Sequence, residues 1–245
     1  MFKRITFIIV LIVFGSVSLF AQLPINITAG LSGGLLIPQS SDIKGSINSV
    51  YDYPLGKSSY AIGGKVRVGL LAIPISFIGH VTYNALSGNS TIKISGIDSK
   101  YSLSLKVVSV GVGAEYNLLP LPIVKPYISG SLDMNFFSGN SKYDNDLISE
   151  TNLNSTNRMG LALGIGSLIE IPFFPVSFDI EAKYNFANLT GKEFSNNDAS
   201  FNGFGGIPQS SSYNLNDAAN PNDSKDHNRS INFLTLMLSV NFNIL

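Results

Sequence analysis

Strict alternation of apolar and polar residues dominates this chain, and it is clearest near the C-terminal end. Leu234, Leu236, Leu238, Val240, Phe242 and Ile244 occupy one set of alternate positions, and Thr235, Met237, Ser239, Asn241 and Asn243 occupy the other. Successive side chains of a strand point to opposite faces, so the segment reads as a strand with one apolar face. A helical period would scatter both sets around its circumference.

The same pattern recurs seven more times, at 25–35, 60–70, 75–83, 108–118, 128–136, 159–169 and 176–186, each time with a charge-free apolar set. Each run is about ten residues long, the length that a strand tilted near 45° needs to cross a bilayer's hydrocarbon. An even number of strands returns both chain ends to one side of the membrane. The connections alternate in length as well. Those at 71–74, 119–125 and 170–175 are short and proline-rich, whereas those near 38–59, 87–100, 138–157 and 188–230 are long and dominated by Ser, Asn, Asp and Gly. The pattern predicts an all-β fold: an eight-stranded antiparallel up-and-down transmembrane β-barrel with short periplasmic turns and long extracellular loops.

Alternation alone does not say which face is buried, and a lipocalin-like barrel or a β-sandwich would also show it. Three features favour the membrane: apolar residues in the short turns, an apolar strand that runs to the last residue, and the N-terminal 21 residues. Lys3 and Arg4 precede an almost wholly apolar stretch, and Ala21 stands before Gln22, which is the pattern of an export signal cleaved after Ala21 or Ser18. Residues 22–245 are then the barrel domain. Of 16 basic and 16 acidic residues, the signal carries two basic ones, leaving a net charge of −2 and no footprint for nucleic acid. The chain has no cysteine, which excludes disulfides, a lipid-anchored cysteine and thiolate metal sites.

Over residues 22–245 the chain resembles the small outer-membrane barrels grouped around outer membrane protein X and the opacity-type barrels. The resemblance rests on architecture and on Lys125-Pro126-Tyr127-Ile128-Ser129-Gly130 and the ending Ser239-Val240-Asn241-Phe242-Asn243-Ile244-Leu245. It implies location in the outer membrane of a double-membraned bacterium, with outer-membrane lipid and the barrel-insertion machinery as partners. Such families usually end on an outward aromatic residue. Here the register turns Leu245 inward and leaves Phe242 as the nearest outward aromatic.

An eight-stranded barrel is just wide enough to be filled by its own side chains. The register sends Lys65, Arg67, His80, Glu115, Asp133, Arg158, Glu170, Asp179, Glu181 and Lys183 into the lumen. A set so nearly balanced in sign predicts an internal polar network, because a selectivity filter would favour one charge. Gly160, Ala162, Gly164 and Gly166 leave room beside Asp179, Glu181 and Lys183. Catalysis finds little support. The only histidines are His80 and His227, and no spacing sets a serine beside either on a lipid-facing strand. The acidic cluster Asp217, Asp223 and Asp226 lacks the glycine and terminal glutamate of a calcium loop, and no cofactor motif appears. Ile-Pro-Gln-Ser occurs at 37–40 and again at 207–210.

Alternation continues past the membrane through Ile92 and Ile94, and through Leu103, Leu105 and Val107, around Gly96-Ile97-Asp98-Ser99. This predicts a protruding hairpin. The change of parity between Val107 and Val108 predicts a β-bulge where the strand leaves the bilayer. The reading that follows is a non-enzymatic surface barrel with a structural role, or one in adhesion to an extracellular protein or host surface. A narrow solute channel comes second and a lipid-modifying enzyme third.

Overall fold

The computed structural model describes residues 25–39, 59–70, 73–94, 97–119, 121–143, 150–191, 212–213 and 230–244; the expected export segment, the second Ile-Pro-Gln-Ser, His227 and the acidic cluster lie outside them. Eight long strands follow one another in the chain: β1 (Ile25–Pro38), β2 (Tyr60–Leu70), β3 (Ile75–Ile94), β4 (Ile97–Asn117), β5 (Val124–Tyr143), β6 (Thr151–Glu170), β7 (Val176–Phe186) and β8 (Asn232–Asn243). Each pairs antiparallel with the next, and β8 pairs back with β1, so the sheet closes. A two-residue piece, Ser212–Tyr213, adds a short parallel pairing to the upper end of β6.

The pairing register fixes the barrel's shape. Following partners once around, Thr28 leads to Arg67, Ile78, Gly113, Ser131, Ala162, Asn185 and Phe233, and Phe233 pairs with Pro38, ten residues further along β1. Eight strands with this stagger tilt by roughly 40° and enclose an interior that side chains can fill.

Faces follow parity. In β8, Leu238 is 64% exposed and its neighbour Ser239 only 6%. Leu31, Ile62, Phe77, Val112, Leu132, Ile165 and Ile180 likewise stand exposed on the outside, while Thr28, Lys65, His80, Glu115, Asp133 and Asp179 are buried inside. A soluble barrel buries its apolar face; this one presents it outward all around, which suits lipid and rules out the soluble alternatives. Outward aromatics stand toward both ends: Phe77, Tyr116, Phe178 and Phe242 near the short turns, and at the upper end Tyr60, which packs on Tyr83 with ring centres 6.4 Å apart, and Tyr184, which packs on Phe186 at 4.8 Å. That is where a bilayer interface favours them.

Two expectations need correction. No bulge separates Val107 from Val108: β3 and β4 pair without interruption from Ile75 and Tyr116 to Ile94 and Ile97. Leu103, Leu105 and Val107 therefore point inward, on the same face as Ser109 and Glu115, and all three are buried. The sequence pattern changes parity there because the interior changes from polar to apolar, while the strand itself stays in phase. A register shift occurs instead between β5 and β6, where Asn154 and Ser155 stand opposite Ser138 alone. The connections expected at 87–100 and 138–157 are also largely strand, since β3 to β6 run to 20 or 21 residues each.

Candidate functional site

The lumen is built in three layers. The lowest, toward the short turns, gathers charges from three strands, β2, β4 and β7. Lys65 on β2 donates to Glu115 Oε1 at 3.0 Å, to Asp179 Oδ2 at 2.8 Å and to Glu181 Oε2 at 3.3 Å. Arg67, two residues along on the same face, forks onto both oxygens of Glu115 and reaches Asp179 Oδ2 at 3.0 Å. Lys183 lies 3.5 Å from Glu181. Three cations thus face three carboxylates, and such a group is tolerable in low dielectric only because every charge has partners.

Tyr127 completes this layer. Its hydroxyl donates to Asp179 Oδ1 at 2.7 Å, and its ring lies 5.4 Å from Lys65 Nζ and 5.6 Å from Arg67 Cζ, within cation–π range. Ser129, on the same face of β5, donates to Glu181 Oε1 at 2.9 Å. The glycines of β6 make the space: a Cβ on Gly166 would run into the Tyr127 ring, and one on Gly164 into Ser129 and Glu181.

The middle layer is polar and mostly neutral. His80 Nε2 lies 3.3 Å from Asp133 Oδ1, and Asn84 donates to Ser109 Oγ at 3.2 Å. Asn185 donates to the Phe233 carbonyl at 3.2 Å, and Asn135 to the Ala187 carbonyl at 2.8 Å. A cavity of about 30 Å³ remains between Lys65, His80, Thr82, Asn84, Lys183 and Ser239. It is large enough for a water molecule and too small for a solute.

The top layer is dry. Leu36, Leu86, Leu103, Leu105, Val107, Phe137, Leu153, Ala187, Ile231 and Phe233 form one buried apolar cluster across the extracellular end. At the opposite end a vestibule of about 490 Å³ opens between the short turns, walled by Asn26, Thr28, Leu70, Leu119 and Leu168, and it stops at Arg67, Glu115 and Tyr127. Lys125 and Glu170 form an ion pair on its wall.

The structure therefore brings Lys65, Arg67, Glu115, Asp179, Glu181 and Lys183 into one network and pairs His80 with Asp133 one layer above. Glu170 lies outside it, joined to Lys125. Arg158 is also separate: at the extracellular rim it donates to Thr156 Oγ1 at 2.6 Å and to the carbonyls of Asn157 and Gly191. Sequence reasoning passed over Tyr127 and Ser129, although both share the parity of Asp133. It also passed over the apolar cap, whose side chains carry no polar signal.

No family model and no curated protein matches the chain. Among solved structures, one that aligns is the attachment invasion locus protein Ail of Yersinia pestis in complex with the heparin analogue sucrose octasulfate, at 14% identity over 90% of this chain and 97% of that one, with a TM-score of 0.43. Neisserial surface protein A aligns at 14% identity over 89% and 96%, with a TM-score of 0.44. A major outer membrane protein of Thermus thermophilus aligns at 14% over 90% and 100%, with a TM-score of 0.46. Likenesses this distant carry no functional argument, and the barrel stands on its own strand pairing.

Proposed function

We propose that this chain is a non-enzymatic integral protein of the outer membrane of a double-membraned bacterium, a sealed barrel that acts in surface recognition through the strands and connections it holds above the outer leaflet. The observation that carries this reading is the unequal length of the strands. β2 and β7 stop after 11 residues, while β3 to β6 continue to 20 or 21. The excess lies on the side of the long connections and beyond the apolar belt. Outward side chains change there from Val108 and Val110 to Lys106, Ser102 and Lys100 on β4, and from Met134 and Phe136 to Ser138 and Lys142 on β5. A filled lumen leaves no path for transport, so the projecting part is what can meet a partner. Outer-membrane lipid surrounds the belt, the insertion machinery meets the outward face of β8, and an extracellular protein or host surface meets the projecting strands.

The test uses the absence of cysteine from the chain. Lys142→Cys on intact cells should react with a membrane-impermeant maleimide, whereas Leu121→Cys should react only after the membrane is disrupted. Replacing 88–103 by a tight turn should leave the barrel assembled and abolish adhesion of expressing cells to the surface that wild-type cells hold. Labelling in the reverse order, or adhesion undiminished by the truncation, would refute the reading.

A further inference from the structure

Between the strands they join, the three short turns at 71–74, 118–123 and 171–175 carry only apolar residues and proline, and neither the filled lumen nor the projecting strands account for that. Leu121, Ile123, Phe173 and Phe174 are all exposed there, and none of the four lines the vestibule. The belt on the strands is already complete without them. From Leu118 to Val108, ten residues at about 3.3 Å each and a tilt of roughly 40° give a height of about 25 Å, the height of a barrel's apolar band. The turns lie beyond it, where water or a headgroup region must be their surroundings.

Phe173 is the most informative of them. Phe174 N–H donates to the Ile171 carbonyl at 3.0 Å, closing a turn with Pro172 at its second position and Phe173 at its third. Phe173 has φ 65°, the only positive φ outside glycine among the described residues. That position ordinarily takes glycine or asparagine, since a side chain is strained there. A phenylalanine there gains nothing from packing, because its side chain is fully exposed. The strain is explained if the ring has an apolar environment outside the protein.

Backbone and charge agree with this. Pro74, Pro122, Pro172 and Pro175 bring no N–H donor to the turns, and the N–H groups of Leu121 and Phe174 are taken up within their own turns. The only charged residues at this end among the described residues, Lys125 and Glu170, face inward and neutralise each other.

We propose that the turns form a collar inserted among the headgroups and upper acyl chains of the inner leaflet, with phospholipid as its occupant. The proposal rests on the membrane-barrel reading and extends it: the apolar surface is continuous from belt to collar, so the lipid that covers one covers the other.

The chain has no tryptophan, so a single introduced one reports its own surroundings. Phe173→Trp and, on a different turn, Leu121→Trp would be folded into phosphatidylcholine vesicles beside a belt control, Leu238→Trp, with gel mobility confirming assembly. Brominated phosphatidylcholines and acrylamide are the quenchers. The collar predicts blue-shifted emission at 173 and 121, quenching by lipids brominated near the headgroup end of the acyl chain, and acrylamide quenching several-fold below that of free tryptophan. Emission typical of water at both turn positions, with only position 238 quenched by lipid, would overturn the collar alone and leave those turns open to a protein. Failure of lipid to quench at all three positions would overturn the membrane barrel together with the collar.

Discussion

Lys65 and Asp179 are 114 residues apart in the chain and 2.8 Å apart across the lumen, where they tie β2 to β7 on opposite sides of the barrel. Lys65→Met would leave Glu115, Asp179 and Glu181 facing only Arg67 and Lys183. The expected cost is about 3–5 kcal/mol, the penalty for breaking a buried ion group by removing one partner. Denaturant unfolding from lipid vesicles measures it. Adding Glu115→Gln should restore part of the loss, because the second change removes the charge left unpaired. Simple additivity of the two single effects would show that the charges are solvated independently.

The orientation of β8 makes a sharper contrast between neighbours. Leu238→Arg places a cation in lipid near the midplane and should cost about 2–4 kcal/mol. Ser239→Ala removes one small hydroxyl beside a water-sized cavity and should fall within about 1 kcal/mol of wild type. Paired refolding titrations of the two variants make the comparison, and equal tolerance of both would contradict this register.

The dry cap yields a test of phase. Val107 is fully buried and its neighbour Lys106 is exposed. Val107→Asp should cost at least about 2 kcal/mol, since a carboxyl enters an apolar cluster without a partner, whereas Lys106→Asp should stay within about 0.5 kcal/mol. The temperature at which the folded band is lost on semi-native gels gives the comparison. A harmless aspartate at 107 would restore the bulge and turn that face outward.

These contrasts also show what a sequence can reveal of such a molecule. The eight strands and their outward faces are legible because lipid excludes charge from every second position along the belt and fills most of those positions with apolar side chains, a demand that is the same for every strand. The interior makes no uniform demand. It is charged around Lys65, amide-rich around Asn84 and apolar around Leu105, so reading polar positions as inward holds only as far as Ser109 and inverts at Val107. Partners across the lumen are illegible for another reason. Whether Lys65 meets Asp179 depends on the ten-residue stagger, which is a property of the closed sheet and of no single strand. Tyr127 shows the same limit, since its parity was available but its role depends on the space that Gly166 leaves on the next strand.

The central claim is that the lumen is sealed by its own side chains. The direct measurement is the current through the purified barrel inserted in a planar bilayer at neutral pH and moderate salt. With a charged layer, a water-sized gap and an apolar cap in series, the account predicts no steady single-channel conductance at any applied voltage the bilayer withstands. Stable ohmic steps in the wild-type protein, unchanged when Lys65 or Val107 is replaced, would contradict it and establish a continuous aqueous path through the barrel.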